Sequence, residues 1–153
     1  MSSTLDYKKI LKAERKIGKK ASRLVEDSIR KQIGKNFMPG NVNRREAEFS
    51  LSNSVNTVPV TGDVRLFRLS TSMAQHGFIL QYGFSGKRSG YTGERKSGTF
   101  YEVKEHDFNL PSVPFIEDGI EKSGAFNVLF DELGALRMKE VGIFFKKQGI
   151  KLG

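Results

Sequence analysis

The chain has 153 residues, 37% of them hydrophobic and 28% charged, which suits one domain able to bury a core without disulfides or metals. It contains no cysteine, which excludes a disulfide framework and any thiolate metal site, and it has no apolar run near the roughly 18 residues of a membrane span. The net charge of +9 is concentrated: from Lys8 to Lys35 eleven Lys or Arg stand against Glu14, Glu26 and Asp27, leaving +8 there and +1 elsewhere.

In chain order, Met1 to Lys20 is polar and lysine-rich with no signal-peptide core, so a soluble protein is expected. Residues 5–34 read as a long basic helix. Ile10, Ala13, Ile17, Ala21, Leu24, Val25, Ile29 and Ile33 fall on one side at helical spacing. Thr4 suits the N-cap, and Gly34 with Asn36 suits the C-terminal stop. Gly18 costs roughly 1 kcal/mol against alanine, so tertiary packing is expected to hold the helix there. The narrow stripe places this helix on the surface of the body or across a subunit boundary. Its basic residues Lys8, Lys9, Lys12, Arg15, Lys16, Lys19, Lys20 and Arg23 are candidates for a surface facing a partner or DNA. Such a localised field points to nucleic acid, an acidic protein or a neighbouring subunit, with a solvated helix face as the plain alternative.

Met38-Pro39-Gly40-Asn41 is a turn signal, and Arg44-Arg45-Glu46 a charged patch beside it. Leu51 to Val55 leads to an extended piece at Val58-Pro59-Val60, followed by a turn at Thr61-Gly62-Asp63 and a strand over Val64 to Ser72. Phe67 breaks the alternation of that strand. Gly77 to Tyr82 is a further strand or one short helix, since six residues do not decide the period. Residues 84–98 read as a flexible basic loop, punctuated by Gly86, Gly90, Gly93 and Gly98, with Lys87, Arg88, Arg95 and Lys96 as a second candidate partner surface. Thr99 to Val103 is a strand, and Leu110 to Pro114 is held extended by its prolines. Pro114 can open a helix that runs over residues 115–147, with Ser123-Gly124 as a possible break. Phe115, Phe126, Phe130 and Phe144 are expected in the core or in subunit contacts. Gly134 and Gly142 either weaken that helix or admit a neighbouring backbone. These elements make a single α+β domain, 1–153: a small mixed or antiparallel sheet packed by the long N-terminal helix and a C-terminal helix.

Chemistry is hard to find in the residues. His76 and His106 have no carboxylates around them at ligand spacing, and a structural role is expected for His76. Ser70, Ser72 and Ser85 lack a nucleophile elbow. Glu117-Asp118 and Asp131-Glu132 are neighbours in a helix, so they point about 100° apart and make no acid–base pair. Gly86-Lys87 fails as the end of a P-loop, because Gln81 stands where its first glycine belongs and Arg88 where Ser or Thr would hold magnesium. No enzyme activity, cofactor or metal is expected. Binding of nucleic acid by a non-enzymatic basic protein is the alternative function: the basic helix and loop could contact phosphates and Tyr91 could stack on a base, although no base-reading motif is present.

The order of segments resembles the neck and tail-completion proteins of tailed bacteriophages, the head–tail joining, minor tail and virion-morphogenesis group. The matching residues are Leu51, Ser54 and Val55 of an L-x-x-S-[IV] piece; the strand Leu66 to Ser72; His76 to Tyr82-Gly83; and Leu110-Pro111 with Pro114-Phe115-Ile116. The likeness runs from about Leu51 to Phe145, while the N-terminal helix is similar in character only. Two departures are the missing Thr-Gly before Leu51 and Ser112-Val113 in place of the Ala-Arg often seen before Pro-Phe. The resemblance implies a virion protein of the head–tail junction, present in the host cytoplasm during assembly. It further implies a homo-oligomeric ring, hexamer or dodecamer, that joins capsid to tail without catalysis. Neck, portal or tail-tube proteins would be its partners, with DNA passing through the ring as a further one and no membrane.

Overall fold

The structure, a computed structural model, describes residues 3–37, 50–63 and 65–147. The expected turn at Met38-Pro39-Gly40-Asn41 and the charged patch Arg44-Arg45-Glu46 lie outside these residues. The fold is α+β, with a long N-terminal helix, a C-terminal helix and three antiparallel two-stranded ladders. Contacts gather the chain into two compact units, one formed by residues 1–73 with 115–153 and the other by residues 74–114.

The first unit is built around helix α1, Ser3–Asn36, about 50 Å long. Ile17, Ala21, Val25, Ile29 and Ile33 of its apolar stripe are buried, and each fully buried Ile or Val contributes roughly 1.5–3 kcal/mol. The other side of the helix, from Lys8 to Lys31, is exposed, so it lies on the surface of the body as expected while serving as the element on which its unit is assembled. Short helix α2 (Leu51–Ser54), strands β1 (Asn56–Thr61) and β2 (Leu66–Ser72), and helices α4 (Phe115–Lys122) and α5 (Ala125–Lys147) all pack on it. A narrow stripe suffices because each of these elements covers only a part of a long helix. Thr4 lies inside the helix and Gly34 inside its last turn, so neither is the boundary residue expected of it. Asn36 ends the helix, its Nδ2 donating to the Gln32 carbonyl at 2.9 Å.

Two glycines let other backbones reach α1. A Cβ on Gly18 would lie 2.8 Å from the Pro59 Cβ and 3.0 Å from Leu66 Cδ1, so the β1–β2 hairpin crosses the helix there. A Cβ on Gly119 would lie 2.7 Å from Ile29 Cγ1 and 2.9 Å from Ile29 Cα, which brings α4 against the α1 backbone. Gly119→Ala is expected to destabilise the fold by about 1–3 kcal/mol through overpacking. Urea denaturation should show a lower midpoint with an unchanged slope; an unchanged midpoint would contradict this docking. Ser22, 2% exposed, has the one buried side-chain polar atom without a hydrogen bond among the described residues. Ser22→Ala should consequently stabilise the protein by about 1 kcal/mol, seen as a higher melting temperature. A lower one would reveal a partner for the hydroxyl.

Strands β1 and β2 pair antiparallel from Asn56↔Ser72 to Thr61↔Leu66, with a register shift at Val60/Thr61. Phe67, which broke the sequence alternation, is 76% exposed beside Gly62. The expected break between the C-terminal helices is present. Gly124 adopts φ +67°, a left-handed conformation open to glycine, while Ser123 Oγ donates to the Ile120 carbonyl at 2.7 Å and accepts from the Ala125 N–H at 3.1 Å. One hydroxyl thus serves a helix end and a helix start.

In the second unit, Gly77 to Tyr82 resolves to a helix, α3 (Gln75–Tyr82). The expected flexible loop over 84–98 is corrected: β3 (Phe84–Arg88) and β4 (Tyr91–Glu94) are strands, paired with β6 (His106–Leu110) and β5 (Phe100–Val103) respectively. Strand β6 had no counterpart in the sequence reading. Both ladders keep one register, from Phe84↔Leu110 to Glu94↔Phe100, so they form two stretches of a single hairpin. At about 3.3 Å per residue the eleven positions from Phe84 to Glu94 span about 36 Å. Only the tip keeps the turn chemistry expected of the whole: Arg95 N–H donates to the Thr99 carbonyl at 2.9 Å and Gly98, at φ +78°, donates to the Arg95 carbonyl at 2.8 Å. The glycine content argued against strands, but pairing with a segment about twenty residues away outweighs so weak a local preference. At the base of the hairpin, Gly83 has φ +77° and a Cβ there would lie 2.8 Å from the Leu110 carbonyl oxygen. The Val113 N–H donates to the Leu80 carbonyl at 2.9 Å, tying the extended proline segment to α3.

Candidate interaction surfaces

Helix α1 divides its charges by face. Its two inward carboxylates are consumed by the fold. Glu14 sits on the apolar side of the wheel, between Ile10 and Ile17, and is fully buried. Its Oε2 accepts the Leu66 N–H at 2.7 Å, while its Oε1 meets Arg65 Nη1 at 3.2 Å and Arg137 Nη2 at 3.0 Å. Arg65 Nη2 continues to Glu140 Oε1 at 2.8 Å, so α1, the β1–β2 turn and α5 meet in a network of two carboxylates and two guanidinium groups. The Arg65 guanidinium is held above the ordinary arginine value by its hydrogen bond to Glu140, against some desolvation, with the charges of Glu140 and Glu14 adding to the effect. Glu26 accepts the Thr57 N–H at 3.0 Å and pairs with Arg30 at 2.8 Å. Arg30 in turn donates to the carbonyls of Ser52 at 3.1 Å and Val55 at 3.0 Å.

These contacts give the L-x-x-S-V residues a packing role. Leu51 and Val55 are buried, Ser54 Oγ donates to the Leu51 carbonyl at 2.7 Å, and the short helix they form is clamped to α1 by Arg30. Phe115 is fully buried, with its ring edge-on to Phe37 at 5.6 Å, directly after the exposed Pro114. His76 and Tyr82 are exposed on α3. His106 is exposed too, with Nδ1 3.1 Å from the Lys104 carbonyl oxygen. Sequence reasoning missed the Glu14, Arg65, Arg137 and Glu140 network. Its one visible signal was a carboxylate at an apolar-stripe position.

The outer face of α1 carries the predicted cations. Lys8, Lys9, Lys12, Lys16, Lys19 and Arg23 are exposed, and none has a carboxylate within 4.0 Å among the described residues. Arg15 donates to Thr61 Oγ1 at 3.3 Å, which leaves its charge uncompensated, and Lys20 pairs with Glu132. The second predicted basic set is dispersed along the hairpin. Lys87 faces Glu105 at 3.5 Å, Arg88 lies over the Tyr91 ring at 5.7 Å, Arg95 lies over Tyr101 at 5.8 Å, and Lys96 is exposed at the tip. Tyr91 is thus engaged by Arg88 and, edge-on, by Tyr101 at 6.3 Å. Four carboxylates, Glu94, Glu102, Glu105 and Asp107, share this hairpin with its five Lys and Arg, so the basic patch expected there is nearly neutral.

Helix α5 presents an apolar row to solvent. Phe126, Phe130 and Phe144 are 78%, 74% and 59% exposed, with Met138 and Val141 on the same side. Of the two places expected for the four phenylalanines, core or subunit contact, the core holds Phe115 alone. The inward side of the helix holds the buried Ala125, the half-buried Val128, Leu129, Leu133 and Leu136, and the ion-paired Glu132 and Glu140, so the helix is apolar on both sides. A Cβ on Gly134 or Gly142 would meet nothing within 4 Å, so neither glycine marks a close approach within the chain.

Among the described residues, no group of three His, Cys, Asp or Glu could hold a metal ion, and no helix is long and apolar enough to cross a membrane. No protein family, curated protein or solved structure matches the chain.

Proposed function

We propose that the chain is a structural assembly subunit, the protomer of a ring at the head–tail junction of a tailed bacteriophage, acting by geometry rather than catalysis. The observation that carries the assembly part is the apolar row on α5. At roughly 200 Å² per phenylalanine, Phe126, Phe130 and Phe144 leave roughly 400 Å² of ring surface in water. That alone matches the largest patch on a typical monomer, before Met138 and Val141 are added. A second copy is the natural cover, because a repeated contact of one face with a neighbour closes into a ring when the rotation permits.

The virion part rests on the segment order. Residues that carry the resemblance stand at joints of the fold: Leu51 and Val55 against α1, Gly83 in the left-handed region at the base of the hairpin, and Phe115 at the start of α4. A motif kept for folding reasons requires such positions. Native mass spectrometry of the purified chain should give a hexamer or dodecamer, and the oligomer should associate with portal or tail-tube proteins of the same virion. A monomer at every soluble concentration, with no such association, would overturn the reading.

A further inference from the structure

We infer that the outer face of α1 binds the phosphate backbone of double-stranded nucleic acid, without reading its sequence. The inference does not depend on the ring, since the face is complete on one chain. Lys8, Lys12, Arg15, Lys16, Lys19 and Arg23 lie within one arc of the helix, opposite the buried stripe, and span about 22 Å of its axis. Two of the three carboxylates between Lys8 and Lys35 are turned away, Glu14 into the core and Glu26 onto Thr57 and Arg30, while Asp27 is exposed one turn beyond Arg23, at the end of the row. What remains is a row of cations with no carboxylate partner among the described residues, Arg15 donating only to the neutral Thr61 hydroxyl.

The chemistry of the face selects between polyanions. A protein interface needs an apolar or aromatic centre ringed by polar groups, and from Lys8 to Arg23 every exposed residue of α1 is Lys or Arg. An acidic protein would therefore find charge but no hydrophobic anchor. A single strand is gripped by aromatic rings stacking on its bases, and this face has none. A duplex offers phosphates at regular spacing along a stiff rod and asks only for matching cations. Lysine, the majority here, meets a phosphate as a point charge and brings no planar fork to distinguish bases.

The test is fluorescence anisotropy of the full chain with a labelled duplex of mixed sequence across a salt series. Six phosphate contacts, one for each cation of the row, predict that log K falls with log salt at a slope of about −5.4, so affinity drops about 1,800-fold between about 50 and 200 mM salt. The triple variant Lys12→Gln, Lys16→Gln, Lys19→Gln should bind more weakly and flatten the slope by about 2.7, with an unchanged circular dichroism spectrum and melting temperature. Lys87→Gln with Lys96→Gln, on the hairpin, should leave the slope as it was. A duplex of unrelated sequence should bind equally and a single strand of the same length less well. Absence of binding, a slope indifferent to the triple variant, or polyglutamate bound as tightly as the duplex would each overturn the assignment, the last in favour of an acidic protein. None of these outcomes bears on the oligomer, so failure here and failure of the ring are separable.

Discussion

Glu14→Gln is expected to cost the protein about 3 kcal/mol, the lower end of what is lost when one partner of a buried ion pair is removed. The substitution keeps the shape of the side chain and most of its reach. What it removes is the charge that compensates Arg65 and Arg137, together with one strong acceptor, because an amide oxygen replaces only one of the two carboxylate oxygens. The arginines are 32% and 38% exposed, so water relieves part of the penalty, and Glu140 retains its pairing with Arg65. For a chain of this length the loss corresponds to a fall in melting temperature of about 6–12 °C. A fall below about 2 °C would mean that Glu14 contributes no more than an exposed pair. The network should also hold through the whole usable pH range as far as Arg65 is concerned. A cation whose pKa is raised by folding stabilises fully below its unfolded pKa, and that contribution fades only as pH rises through the raised value, in strong alkali.

The double variant Phe126→Asp, Phe130→Asp should convert the proposed oligomer to monomer while leaving the fold intact. Both rings are mostly exposed in the single chain, so charging them removes little intramolecular packing. In the oligomer each would place a carboxylate in an apolar contact, at several kcal/mol for each unpaired charge. A dissociation constant raised at least 100-fold, about 2.7 kcal/mol, should be seen by analytical ultracentrifugation, with an unchanged far-ultraviolet circular dichroism spectrum. An oligomer of unaltered mass would remove α5 from the interface and leave the hairpin as the remaining large exposed element. A fold lost along with the oligomer would instead show that the subunit cannot stand alone, and the milder Phe126→Ser would then have to shift the equilibrium in the same direction.

The sequence was most legible where the pattern is long. The period of α1 identified eight residues as its inner side, of which Ile17, Ala21, Val25, Ile29 and Ile33 are buried and Ile10, Ala13 and Leu24 half-buried. The punctuation of Ser123-Gly124 marked the break between α4 and α5, because a left-handed glycine is a local requirement. The hairpin over 84–110 was illegible for the opposite reason. Its glycines and charges say loop at short range, and the pairing that makes it a ribbon joins residues up to 26 apart. The α5 phenylalanines show a further limit: periodicity finds an apolar face but not whether that face turns towards the chain or away from it.

By itself, then, the sequence determined an α+β chain with a long basic first helix, a C-terminal helical pair and no visible catalytic apparatus, since these follow from composition and near-neighbour spacing. Only the tertiary structure decided that α1 is the axis of its unit, that Glu14 joins two arginines from distant segments, and that three phenylalanines face water. The physical reason is common to all three. Charge and period are properties of neighbours along the chain, whereas burial and compensation depend on which distant side chain arrives, and that is set by the packing of the whole unit.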